Sequence, residues 1–334
     1  MDVFSLTPGR ARGRSVQQAM SRRLGGSLRH ILEAVREPAS VPDGTAAGLI
    51  AALETGAPAL PEAFAIHSDI LGAVGDGDFG SVRALFVELG SRPFLRERLL
   101  LRPLNAAALS AATRDRYVRY AATDADVPLP LCAPRDDEVA TFAGLVEEAL
   151  AMLRRVAPEL AEEFDAIVGE IVVATLDETA ATDTYDAVSC FDVWGALFVN
   201  PRRHTTQLET IGVLVHEMTH ALLFGYCLDE PLVLNPMSER FSSPVRTDAR
   251  PMDGVFHGTY VIAMLDYLAR KLLASGALSE RDREIVRAQI AQYERAFPAG
   301  IEVIRGKGRL TETGRRIIDG AEAYMSAEIG RAHV

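Results

Sequence analysis

Cysteine, lysine and tryptophan are all scarce in this 334-residue chain: three Cys, two Lys (Lys271 and Lys307) and one Trp. Cys132, Cys190 and Cys227 are odd in number, widely spaced and without a C-x-x-C pair, so a disulfide framework and a Cys-based zinc or redox motif are excluded. Neither lysine lies in a motif, which leaves no Schiff-base candidate. No apolar run reaches the 18 to 20 residues needed to span a bilayer, and the first residues lack the continuous apolar stretch of a signal peptide. A cytoplasmic protein with no membrane partner is expected. Basic charge is in deficit, 35 Lys and Arg against 46 Asp and Glu for a net charge of -11, which argues against a nucleic-acid partner. The exception is the first 36 residues, where Arg10, Arg12, Arg14, Arg22, Arg23, Arg29 and Arg36 face only Asp2 and Glu33. A solvated helix face accounts for them, with docking of an acidic peptide as the alternative.

The remaining proportions, 48% hydrophobic and 24% charged with 26 Gly and 17 Pro, are those of a globular chain with a sizeable core. From Ser15 to about Arg119 the pattern is one of successive helices broken by Pro and Gly, with almost no strand-like alternation. The proline-bearing stretch Asp124 to Asp137 reads as a linker, dividing a helical N-terminal region (1-130) from a second domain (131-334). In that second part a helix is expected from about 138 to 156. Two β-branched or aromatic segments, 170-176 and 188-199, read as strands of a small sheet. Further helices are expected at about 207-224, 254-274, 279-296 and 311-328. The expected class is α+β, mainly α-helical, not a cupin or jelly roll. The interval from Tyr226 to Asp253 has four prolines and no periodicity, the mark of a binding or lid element.

Only seven His occur, and three fall between 216 and 257. His216-Glu217-Met218-Thr219-His220 is an H-E-x-x-H motif in a helical context. Thr206 and Glu209 form a capping box, Ile211, Leu214, Val215, Met218, Leu222 and Leu223 form an apolar side, and Gly225 reads as a stop. Residues four apart on a helix lie one above the other, so both imidazoles can share one ion. The third ligand is expected at His257, beside Gly258, with Glu239 as the rival. His204 reads as a solvent-exposed loop residue, with a place at the rim of the site as the alternative, Trp194 as core packing and the thiols as buried and inert.

Taken alone, the motif suits a zinc peptidase with Glu217 as general base, and the segment ending Trp194 to Phe198 would be the edge to which a peptide adds by backbone pairing. Between the histidine helices, however, stand Arg246 and Arg250. Arginine grips a carboxylate with a two-pronged fork. Such a cation is what a 2-oxoglutarate-dependent iron enzyme needs for its co-substrate, and three histidines suit Fe(II) as well as zinc.

The combination His216-Glu217-x-x-His220, Ser243-Pro244-x-Arg246 and Arg250-Pro251-x-x-Gly254-x-x-His257-Gly258 resembles the H-E-x-x-H peptide-modification family. Members of that family stand in gene clusters for ribosomally made, post-translationally modified peptides, alone or fused to radical SAM enzymes. The resemblance covers about residues 190 to 265 and departs from the family's pattern at Val245, where an aromatic is expected. It implies a 2-oxoglutarate-dependent oxygenase that hydroxylates a β-carbon of a precursor peptide. By position it implies His216, His220 and His257 as iron ligands and Arg246 or Arg250 as the oxoglutarate anchor. Glu217 then orients a ligand or contacts metal-bound water. A radical SAM enzyme of the same pathway is an implied partner.

Overall fold

Long stretches of Ala, Leu, Arg and Glu, with proline at first turns where no amide hydrogen is needed, make helices the dominant element. The computed structural model describes residues 4-121, 129-177, 185-243 and 248-332. Among them are the helices α1 (Arg10–Val35), α2 (Ala47–Glu54), α3 (Pro61–Gly75), α4 (Phe79–Ser91), α5 (Ala111–Ala121), α6 (Asp136–Val156), α7 (Pro158–Ile167), α8 (Gln207–Tyr226), α9 (Met252–Ala274), α10 (Glu280–Lys307) and α11 (Glu312–Ala332). The strands are β1 (Leu100–Pro103), β2 (Leu131–Cys132), β3 (Glu170–Val173), β4 (Thr175–Leu176), β5 (Ala187–Val188) and β6 (Ala196–Val199). The protein is therefore α+β and mainly helical, with a small sheet.

The main sheet has the order β1-β3-β6-β5; β1, β3 and β6 run parallel, and β5 runs antiparallel to β6 at one edge. β3 and β6 are buried along their whole length. Their side chains alternate between two cores. Ile171, Val173, Leu197 and Val199 face the larger core, shared with α1, α6, α8 and α9. Val172, Ala196 and Phe198 face the smaller one, with Tyr117 of α5 and Leu131 of β2. β2 and β4 form a separate two-stranded ribbon.

Several expectations change. The segment 170-176 is two strands in different sheets, and 188-199 is β5, a 3₁₀ turn at Phe191–Val193, and β6. The break comes at Gly195, whose φ of 87° is open to glycine at little cost, and a Cβ there would meet the Ile167 carbonyl. β1 lies inside the region expected to be wholly helical and pairs with β3 across the expected linker, and the larger core runs from Leu6 to Met325. Part of that linker, 122-128, falls outside the described residues. α7 was not anticipated, and α10 continues well past 296.

Gly225, read as the stop, is the last residue but one of α8, which ends at Tyr226. A Cβ on Gly225 would collide with the side chain of Val16 on α1. The missing side chain lets α1 pack directly on the C-terminal turns of α8, beside the histidine motif. Gly225→Ala is expected to cost about 1-3 kcal/mol by overpacking this crossing, read as a lower urea midpoint at unchanged slope. A midpoint equal to wild type would show that the helices shift apart freely.

Candidate metal centre

α8 starts as its sequence demands. The Thr206 hydroxyl accepts the Glu209 amide at 3.2 Å, and the Glu209 carboxylate accepts the Thr206 amide at 3.0 Å. Downstream, Leu214, Val215, Met218, Leu222 and Leu223 are buried, which fixes the helical phase and sends His216 and His220 to one side. Trp194, 3% exposed, fastens the start of β6 to this helix, its indole N–H donating to the Ala221 carbonyl at 2.8 Å. The side chain is core packing, as the sequence led us to expect.

His257, on the second turn of α9 and 5% exposed, meets the motif from across the helix pair. The Nε2 atoms of His216 and His220 are 3.2 Å apart, and the Nδ1 atoms of His220 and His257 are 3.1 Å apart. The His220 and His257 rings stack, with centroids 5.3 Å apart and planes 19° from parallel. Phe224, one turn beyond His220, packs on His257 at 5.3 Å and meets the exposed Phe191 edge-on at 6.4 Å. This aromatic pair escaped the motif reading, although Phe224 sits at i+4 from His220, a spacing that puts it on the same face.

The donor chemistry suits a metal. Two nitrogens bound to one ion through bonds of about 2.0-2.1 Å lie about 3.0-3.4 Å apart, the range in which the Nε2 pair stands. Burial holds His220 well below the ordinary imidazole value, and the neighbouring His216 and His257 add to the effect, so its ring stays neutral and keeps a lone pair. The three rings nevertheless form a chain, because His220 turns Nε2 to His216 and Nδ1 to His257. Among the described residues no group of three or more His, Cys, Asp or Glu side chains surrounds a single point. The Nε2 pair fits two neighbouring coordination positions, and the third imidazole is at hand but addresses His220 rather than the shared point.

Glu217, next to His216 on the helix, is buried in the protein. It is 5% exposed and accepts a hydrogen bond from the Ser189 hydroxyl at 2.8 Å; its other oxygen lies 3.8 Å from His216 Nε2. Burial pushes its carboxyl up to about 7, against the opposing pull of Ser189. Ser189 follows β5, so the edge strand and the motif helix are joined at this carboxyl. The strand beside the site is therefore β5. β6, the edge anticipated for a peptide, is an interior strand buried on both faces.

The arginine expectations divide. Arg246 lies outside the described residues, as do Pro244 and Val245. Arg250 pairs with Phe241 in an isolated antiparallel bridge, holds Asp248 through Nε at 2.9 Å and stands two residues before the start of α9. The rival ligand Glu239 is engaged elsewhere, by Arg309 at 2.8 Å and Asn235 at 2.8 Å. His204 touches the Asp186 carbonyl at 3.4 Å and lies within electrostatic reach of His216, which places it at the border of the site. Comparison of the chain with protein-family models and with curated proteins finds no match.

Proposed function

We propose that the protein is a cytoplasmic Fe(II)- and 2-oxoglutarate-dependent oxygenase that hydroxylates a side-chain β-carbon of a ribosomally synthesised precursor peptide. The observation that carries this reading is the gathering of three imidazoles from α8 and α9, with Arg250 two residues before the start of α9, the helix that carries His257. His216 and His220 would hold the iron through their Nε2 atoms, and His257, which faces His220 Nδ1, would have to turn toward that point to become the third ligand. When bound, Fe(II) and 2-oxoglutarate would supply the electrons that activate dioxygen, one oxygen atom going to the hydroxylated carbon and the other to succinate, with carbon dioxide released. Arg250 binds the distal carboxylate of the co-substrate, and Arg246 is the other cation the motif resemblance offers. Glu217, its carboxyl raised by burial to about 7, is partly protonated near neutral pH and holds the motif helix to β5 through Ser189. A radical SAM enzyme of the same pathway is the proposed partner. No helix is long and apolar enough to cross a membrane among the described residues, in keeping with a peptide substrate met in solution.

A zinc peptidase is the second reading, favoured by one observation: a carboxyl pushed to about 7 beside the histidine pair has the affinity wanted of a general base. One experiment separates them. Protein purified without oxygen and loaded with Fe(II) should release succinate from 2-oxoglutarate and add the mass of one oxygen to a precursor peptide, the product of any short reading frame that neighbours its gene. Cleavage of that peptide with zinc alone, and no succinate with iron, would overturn the oxygenase. Loss of one charge-assisted fork is worth roughly 1.5-3 kcal/mol, so Arg250→Ala should raise the 2-oxoglutarate concentration needed by about tenfold or more. An unchanged titration would remove Arg250 from the anchor role.

A further inference from the structure

Seven arginines and one glutamate between residues 10 and 36 give α1 and its first following residue a net charge of +6, so the rest of a chain whose total is -11 stands at -17. The structure sorts these arginines. Arg12 is buried, and Arg29 and Arg36 reach Glu54 and Asp43. Arg10, Arg14, Arg22 and Arg23 are exposed on the solvent side of α1, and among the described residues they form no ion pair. Arg22 donates to the Gln18 side chain at 3.4 Å. The four arginines stand on a helix of 26 residues, about 39 Å long, and the other exposed positions between Arg10 and Arg23, Ala11 and Ser15, are small and neutral.

The kind of partner follows from what the helix has already spent. An amphipathic helix that docks on an anionic membrane must insert its apolar face. Here that face, with Val16, Met20, Leu24, Leu28 and Ile31, is committed to the protein core. Nucleic acid presents a dense row of phosphates that the remaining -17 would repel. A short acidic peptide segment can lie along α1 and stay clear of the acidic remainder.

We propose that the exposed face of α1 binds an acidic peptide segment through Arg10, Arg14, Arg22 and Arg23. This rests on the reading of a peptide substrate and deepens it, since an acidic stretch outside the modified residue would tether the precursor to the enzyme. Complementary charge of this kind acts chiefly on encounter and register and is screened by salt.

The test uses the full chain and a fluorescein-labelled peptide of alternating Glu and Ala, followed by anisotropy at low and at physiological salt. The wild type should bind the Glu peptide, more weakly as salt rises, and should not bind a Lys counterpart. With Arg10, Arg14, Arg22 and Arg23 all changed to Gln, four exposed pairs, each worth a few-fold, are lost, and affinity should fall about tenfold or more. The same four-fold change at Arg155, Arg281, Arg287 and Arg295, also exposed, should leave it within about twofold. Equal affinity in the two variants overturns the proposal. So does binding of phosphatidylcholine and phosphatidylserine vesicles, or of a single-stranded oligonucleotide, in place of the peptide. Turnover is read separately: peptide binding without succinate release sinks the oxygenase alone, and succinate release without binding of the Glu peptide sinks this inference alone.

Discussion

Arg12→Met is expected to lower the unfolding free energy by about 3-5 kcal/mol. The Arg12 guanidinium is 2% exposed and grips both oxygens of the fully buried Glu163 at 2.6 Å, and its third nitrogen donates to the Ser5 and Leu6 carbonyls. Removal of the cation strands a carboxylate in the core, where the Gly9 amide at 3.1 Å would be its remaining donor. The penalty comes from that uncompensated charge, so Arg12→Met combined with Glu163→Leu should recover most of the loss, because a buried pair replaced by apolar groups of similar volume is often neutral. Chemical denaturation of the three proteins at neutral pH measures this. A single-variant loss below about 1 kcal/mol would mean that water reaches Glu163 and the pair is not sealed. The result bears on function because the pair ties α1 to α7, and the same guanidinium lies 3.5 Å from the Tyr260 hydroxyl, one turn beyond His257 on α9.

The residues that sequence reading located and those it missed differ in the range of their interactions. The motif helix was legible because its capping box, apolar face and paired histidines all lie within 20 consecutive residues. The Glu217 to Ser189 bond joins positions 28 apart, and the Arg12 to Glu163 pair joins positions 151 apart; neither leaves a local periodicity. Arg12 did carry a signal. It stands four residues before Val16 and eight before Met20, both buried, so its helical phase is that of the core and not of the basic face on which the other arginines were counted. β1 was hidden for another reason: four residues, Leu-Leu-Arg-Pro, are too few to show alternation, and a parallel strand can be apolar on both faces. The site itself was legible as a set of types. Its arrangement as a chain of imidazoles through His220 required the relative rotation of two helices, which no spacing encodes.

Glu217→Gln is expected to leave peptide hydroxylation within about tenfold of wild type, whereas His220→Ala should weaken metal retention by roughly a hundredfold or more and end turnover. A peptidase would behave in the opposite way at the first of these positions, since removal of its general base costs about 10²-10⁴ in rate. The geometry underlies the difference. Glu217 is enclosed, holds Ser189, and has a carboxyl raised to about 7, so near neutral pH a large share of it is already protonated and uncharged, a form that Gln imitates in shape and charge. His220 has no such substitute, because both of its nitrogens are committed, one to His216 and one to His257, and its loss separates the other two rings. Metal content by atomic absorption, succinate yield and peptide mass, measured on both variants after equal loading with Fe(II), give three independent readings. Glu217→Gln protein that keeps its metal and loses a hundredfold or more in turnover would transfer the catalytic role to this carboxyl and with it the case for hydrolysis.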